Sequence, residues 1–291
     1  RGLHILPGAI DTQVHFREPG NTDKEDLKSG SRAAVAGGIT TVFDMPNNNP
    51  SMSTKTLFKK KLNGAKNRMF CNYAFYFGAE KNNTTEIKKM EKEVGCCGIK
   101  VFVGVSTGTL IVSDYKDIKR IMKSTKKMIS FHSEDQYELN KREKFIKRGD
   151  PKSHPKWRNE SVCLICTKNL VKLANQTKKQ IHILHITTAE EIELLNKNKK
   201  YVSYEVTPQH LVLSSPTCYN KLGTLAQMNP PIRSLRHNKR LRQALKNNEI
   251  DIVGSDHAPH KLSEKKLEYP DSPSGMPGVQ TLLPILLNEV S

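Results

Sequence analysis

Asp256-His257-Ala258-Pro259-His260 lies near the end of this sequence, and His15 lies near its start, within Asp11-Thr12-Gln13-Val14-His15-Phe16-Arg17-Glu18-Pro19-Gly20. Between them, Lys100, His132 and His185 each fall in or at the end of a short apolar run. A lone histidine in such a run is ordinarily structural. His15, His132, His185 and Asp256, however, put four metal-capable side chains at the ends of four separate β-like segments. Neutral imidazoles and carboxylates held rigidly are what a zinc site requires. In a (β/α)8 barrel the strand C-termini converge on one mouth, where catalysis is placed. The constellation reads as a metal-dependent hydrolase site assembled in barrel order.

Lys100 is the odd member. It sits inside Gly98-Ile99-Lys100-Val101-Phe102-Val103, where an apolar residue would be cheaper, because an unpaired buried ammonium is costly. Two readings stand. Either Lys100 pairs with a buried acid, or its amine reacts with carbon dioxide to give a carbamate, an anionic bridge between two metals.

The elements that must position these residues are legible as alternation. Strand-like runs cover 8–15, 40–45, 72–78, 98–103, 128–133, 181–186, 201–206 and 251–256, and several are continuously apolar, as in parallel strands buried on both faces. Helical patterns cover 24–36, 53–66, 84–94, 114–126, 161–176, 189–196 and 235–247. Strand and helix alternating in this way predict an α/β fold, a (β/α)8 barrel. A doubly wound sheet would call for a Gly-rich phosphate loop after an early strand, and none is present. Two long connections, 134–160 and 207–233, are expected to be lids or binding loops. A last helix starts near Gly278 and looks cut at Ser291. The 291 residues form one domain, with no repeat and no low-complexity linker.

Composition narrows the class further. The formal net charge is +18 and the mean hydropathy −0.58. The lysines are scattered among asparagines along helical patterns, without aromatic interleaving or a nucleic-acid-binding motif. They read as solvated helix faces rather than a nucleic-acid surface. No stretch approaches the roughly 20 apolar residues needed to span a bilayer. The six cysteines do not form a disulfide framework, and Cys163-Leu164-Ile165-Cys166 has zinc-like spacing but no second pair and lies in a helical pattern. They read as small buried hydrophobes in a reducing cytoplasm.

The motifs in their order resemble those of the dihydroorotases of the cyclic amidohydrolase superfamily. The matching stretches are Pro7-Gly8-Ala9-Ile10-Asp11 running into Val14-His15-Phe16-Arg17-Glu18-Pro19-Gly20, then Asp44-Met45-Pro46-Asn47 and Gly98-Ile99-Lys100-Val101-Phe102. Phe131-His132-Ser133-Glu134, Leu184-His185-Ile186-Thr187-Thr188-Ala189-Glu190, Asn229-Pro230-Pro231-Ile232-Arg233, Ser255-Asp256-His257-Ala258-Pro259-His260 and Ser274-Gly275-Met276-Pro277-Gly278 follow. The resemblance covers essentially the whole chain. It implies interconversion of carbamoyl-aspartate and dihydroorotate, with Lys100 the carboxylated bridging lysine. His132 and His185 would hold one zinc, His15 and Asp256 the other, and Asp256 would also shuttle the proton. Arg17, Asn47 and His260 would bind the substrate carboxylate, Asn229 the ring, and the backbone near Pro277 and Gly278 would assist. A homodimer and an association with aspartate carbamoyltransferase are further implications.

Two departures stand out. The family's first strand normally reads His-x-His, whereas here it reads Gln13-Val14-His15, so an amide replaces one ligand and one or two zinc ions per chain are expected. The family also wraps a small β-sandwich around the barrel from both chain ends. Too few residues precede the first strand and follow Gly278 to build it, so the chain is expected to be a fragment. The alternatives are an allantoinase or hydantoinase type, or a non-catalytic homologue that scaffolds aspartate carbamoyltransferase. Arg17 disfavours the former, since a neutral hydantoin offers no carboxylate. Retention of Lys100, His132, His185 and Asp256 disfavours the latter.

Overall fold

A computed structural model describes residues 5–105 and 110–289. Eight parallel strands run in sequence order: β1 (Ala9–Val14), β2 (Ile39–Asp44), β3 (Asn72–Gly78), β4 (Cys96–Phe102), β5 (Ile129–His132), β6 (Ile181–Ile183), β7 (Val202–Val206) and β8 (Ile252–Val253). Each pairs with the next. Closure onto β1 comes from His15 N donating to His257 O at 2.7 Å and from a parallel bridge between Val14 and His257. The predicted barrel is the fold found.

Helices follow the strands: α1 (Leu27–Ala36), α2 (Lys55–Ala65), α3 (Thr84–Lys89), α4 (Tyr115–Ser124), α5 (Gln136–Arg142), α6 (His154–Trp157), α7 (Glu160–Thr177), α8 (Ala189–Asn196), α9 (Pro208–Val212), α10 (Thr217–Leu222), α11 (Leu235–Lys246), α12 (Leu262–Lys265) and α13 (Leu282–Asn288). Two of the starts are reciprocal capping boxes, Asp26 with Ser29 on α1 and Thr188 with Glu191 on α8. Such caps satisfy amide groups that the first turn leaves open. The two long connections are folded: α5 and α6 lie in 134–160, α9 and α10 in 207–233. For the last predicted helix, Ser291 lies outside the described residues.

Side-chain alternation sorts each strand between two compartments. Val14 and Phe16, Ile99 and Val101, and Ile129 and Phe131 belong to the apolar layer between strands and helices. Gln13, His15, Lys100, Phe102 and His132 take the opposite face and line a cleft at the barrel mouth. Lys100 is thus not misplaced in an apolar run, because its apolar neighbours face the other way.

Two strands, β6 and β8, end three residues earlier than predicted, and both ends matter. β6 stops at Ile183 because His185 turns to φ 37°. β8 keeps only Ile252 and Val253, because the Ser255 amide donates to the Asp11 carboxylate (3.0 Å) instead of a neighbouring backbone, and Asp256 turns to φ 45°. Among the described residues no helix is long and apolar enough to cross a membrane. All six cysteines are free thiols.

Candidate active site

One cleft gathers residues from the ends of β1, β4, β5, β6 and β8: Gln13, His15, Arg17, Lys100, Phe102, His132, His185 and Asp256. Asn47, after β2, and Asn229, from the second long connection, complete this wall together with Ala258, Ser274 and Gly275. Arg17 (φ 61°), His185 and Asp256 occupy the left-handed region without being glycine. Such residues cost about 1–3 kcal/mol each and persist only where the surroundings over-determine them. Three of the predicted site residues are therefore held in conformations that aim a side chain at the expense of local stability.

The donors are arranged in two pairs. His132 Nδ1 faces His185 Nε2 at 3.1 Å. His132 Nε2 donates to Glu134 Oε2 (2.8 Å), which leaves Nδ1 with its lone pair toward the cleft. Burial lowers the proton affinity of both rings, so both stand as neutral imidazoles, the form a metal binds. In the second pair His15 Nε2 lies 3.2 Å from Asp256 Oδ1, while His15 Nδ1 donates to Asn47 Oδ1 (2.7 Å). Zinc–nitrogen bonds of about 2.0–2.1 Å in a tetrahedral site put two ligands roughly 3.3 Å apart. Both pairs are close to that spacing.

Neither pair is complete. Among the described residues no three His, Cys, Asp or Glu side chains form a group able to hold a metal. Both pairs lack a third donor, and Lys100 shares their cleft. It is 1% exposed, and among the described residues its ammonium makes no hydrogen bond or ion pair, resting 4.4 Å from the centroid of the Phe102 ring. The buried Lys–acid pair considered above is thus not formed. Asp256 and Glu205 reach Lys100 only as a distant negative field, and Lys100 in turn lowers the proton affinity of His132 and His185. Burial pushes the Lys100 amine down to about 7, from an ordinary value of about 10.4. The free amine is then accessible near neutral pH. A carboxylate on Lys100 would supply the donor missing from both pairs, and with it the residues fit a metal centre.

Gln13 stands where the resemblance led us to expect a third imidazole. Its Nε2 donates to Asp256 Oδ1 (2.9 Å), and its Oε1 is buried without a hydrogen-bond partner among the described residues. Asp256 Oδ1 thus meets both Gln13 and His15, while Oδ2 makes no hydrogen bond among the described residues.

The other end of the cleft is built around Arg17. Its Nε donates to Pro259 O (3.0 Å), and Nη2 lies 3.2 Å from His260 Nε2. Arg17 is 4% exposed, yet no carboxylate among the described residues pairs with it. Burial lowers it to about 10, with the negative field of Asp256 opposing, so it remains a cation at neutral pH. His260 meets Ser274 O (3.1 Å) through Nε2 and Lys24 Nζ (3.3 Å) through Nδ1. Burial, with Arg17 and Lys24 nearby, pushes its imidazole down to about 3 and keeps it neutral. It borders an outer cleft shared with Arg17 and Asn47 rather than the inner one. Asn229 Oδ1 accepts from His154 Nε2 (3.0 Å).

One expectation is redirected. The Gly278 amide donates to His257 Nδ1 (3.0 Å), and Pro277 has no amide hydrogen to give. The inner cleft is lined instead by Ser274 and Gly275 of the same segment. Sequence reasoning also gave no role to Glu134 or Arg158. Glu134 was visible two residues after His132. Nothing in the sequence singles out Arg158. Burial raises the Glu134 carboxyl, but Arg158 and the His132 N–H outweigh it and hold it to about 2.

Comparison with known proteins places this geometry in a family. The amidohydrolase family model matches residues 4–280, and the chain belongs to that family. Among curated relatives, the dihydroorotase of Methanosphaera stadtmanae is 32% identical over 299 residues, covering 99% of this chain and 66% of the relative. The dihydroorotase of Methanosarcina acetivorans is 35% identical over 306 residues, covering 99% of this chain and 64% of the relative. The chain thus spans a little under two thirds of the length of these relatives. Among solved structures, the L-hydantoinase (dihydropyrimidinase) of Arthrobacter aurescens superposes with a TM-score of 0.91 at 25% identity, covering 97% of this chain and 65% of that one. The dihydropyrimidinase of Brevibacillus agri, at 22% identity and a TM-score of 0.83 over 97% of this chain and 65% of that one, shares the fold.

Proposed function

We propose that the chain carries the catalytic barrel of a zinc-dependent dihydroorotase, interconverting carbamoyl-aspartate and dihydroorotate. The observation that carries this reading is the buried Arg17 guanidinium, without a carboxylate partner among the described residues, beside two incomplete donor pairs. A cation so placed calls for an anionic ligand, and a ring bearing a carboxylate supplies it. The dihydroorotase names of the curated relatives support the same reading. The free thiols agree with a reducing cytoplasm.

Carboxylated Lys100 with His132 and His185 would hold one zinc, and His15 with Asp256 a second. When bound, zinc polarises the ring amide and makes water a nucleophile at neutral pH. Arg17 holds the substrate carboxylate and fixes the ring, with Asn47 beside it. Asp256 takes the proton from water and returns it to the ring nitrogen as the carbon–nitrogen bond breaks. In the synthetic direction the same proton travels back. His15, fixed by Asn47, and Gln13 hold Asp256 in place for both.

A hydantoinase reading has the superposition on L-hydantoinase in its favour, and Arg17 separates the two. Arg17→Lys is expected to lower kcat/KM for dihydroorotate by about 2–4 kcal/mol, because one partner of a desolvated charge pair is left poorly matched. Hydantoin hydrolysis should be little changed. Parallel assays of both substrates check this, and equal losses would assign Arg17 a structural role.

The metal beside Gln13 should be labile. That site keeps one imidazole, Asp256 and the shared carbamate, whereas the His132 and His185 site keeps two imidazoles and the carbamate. Gln13→His is expected to raise zinc from near one toward two per chain after dialysis against a mild chelator. Metal analysis decides, and two zinc ions retained by the unaltered protein would refute the claim.

A further inference from the structure

We infer that Arg158 is the positioning residue of the tighter metal site, clamping the three strand ends that deliver Lys100, His132 and His185. The inference rests on the metal-site reading above. Arg158 follows α6 in the long connection after β5 and is among the largest fully buried side chains. Its Nη1 donates to Glu134 Oε2, the same oxygen that accepts from His132 Nε2. Its Nη2 donates to Val105 O, three residues beyond the end of β4. Its own carbonyl accepts from Arg233 Nη1, and Arg233 Nε donates to Thr187 Oγ1 (3.1 Å), two residues after His185. The ends of β4, β5 and β6 are thereby tied through one residue.

The chemistry requires this clamp. His132 can present Nδ1 to a metal only while Nε2 holds the proton, and Glu134 sets that tautomer. Glu134 stays aimed because Arg158 anchors the same oxygen. The guanidinium Cζ lies 4.7 Å from the Trp157 ring centroid, a packing contact that helps hold the group in place. A planar fork reaches Glu134 and Val105 with separate N–H groups, whereas a lysine would not reproduce that geometry.

The test is zinc affinity of the whole chain without substrate, measured by competition with a chromogenic chelator. Outer partners of metal-bound histidines typically contribute about 10–100-fold in metal affinity. Arg158→Lys is expected to lose that much. Arg158→Met alone leaves Glu134 uncompensated and risks misfolding. Arg158→Met combined with Glu134→Gln removes both charges and should show the same loss, while the zinc-free protein melts near the wild-type temperature. Wild-type affinity in both variants, with His132→Ala losing zinc, overturns the role of Arg158, whatever their melting temperatures. Wild-type affinity in His132→Ala overturns the metal-site reading itself, and this inference with it.

Discussion

Lys100→Ala should release zinc and reduce dihydroorotate turnover by at least about 10³-fold. A bound metal contributes several kcal/mol to the transition state, and each 1.36 kcal/mol is a factor of ten in rate. The structural basis is that, among the described residues, each donor pair is one ligand short and Lys100 shares their cleft as a candidate third. Short carboxylic acids should restore part of the activity by occupying the space of the carbamate. The pH dependence has a definite sign. Carboxylation consumes the free amine, and burial places Lys100 at about 7. At a fixed concentration of dissolved carbon dioxide, the species that adds to the free amine with loss of a proton, reloading of decarboxylated protein should therefore accelerate through neutrality and level off above about pH 8. Carbon-13 NMR of protein incubated with labelled bicarbonate reads the carbamate directly. Full activity in Lys100→Ala, or no carbamate signal in active protein, removes the bridging role.

Asp256→Asn should cut turnover by more than the 10²–10⁴-fold typical of a lost general base, because ligand and proton carrier fail together. The substitution keeps the shape of the side chain, and its carbonyl oxygen can still accept from Gln13 Nε2 where Oδ1 now does. Substrate binding, which the proposed function assigns to Arg17, should persist. Calorimetry for binding and rapid-quench single turnover for chemistry separate the two effects. Abolished binding with undiminished chemistry on whatever substrate is bound would show that Asp256 does not move the proton.

Much of the chain's organisation was written in local patterns. Apolar runs of strand length alternating with amphipathic helices specified a barrel, since a buried parallel strand and an outer helix leave different periodicities. Because barrel strands end at one mouth, their order brought His15, Lys100, His132, His185 and Asp256 to a common cleft. The face of Lys100, opposite Ile99 and Val101, emerged only in the structure, because the continuous apolar run around it concealed the alternation. Boundaries were less legible. β6 and β8 end early because His185 and Asp256 turn to positive φ, a conformation their residue types disfavour and only tertiary contacts impose.

What the sequence by itself determined, then, was the fold and which metal-capable side chains, with Arg17, meet in one cleft. The tertiary structure alone decided how they are paired. Gln13 meets Asp256 across 243 residues, and Asp11 receives the Ser255 amide across 244. The Gly278 amide went to His257, and Arg158 became a clamp on three strands. Contacts of this kind depend on barrel closure and on how two long connections pack back over the mouth. They follow no local periodicity, so no pattern along the chain announces them.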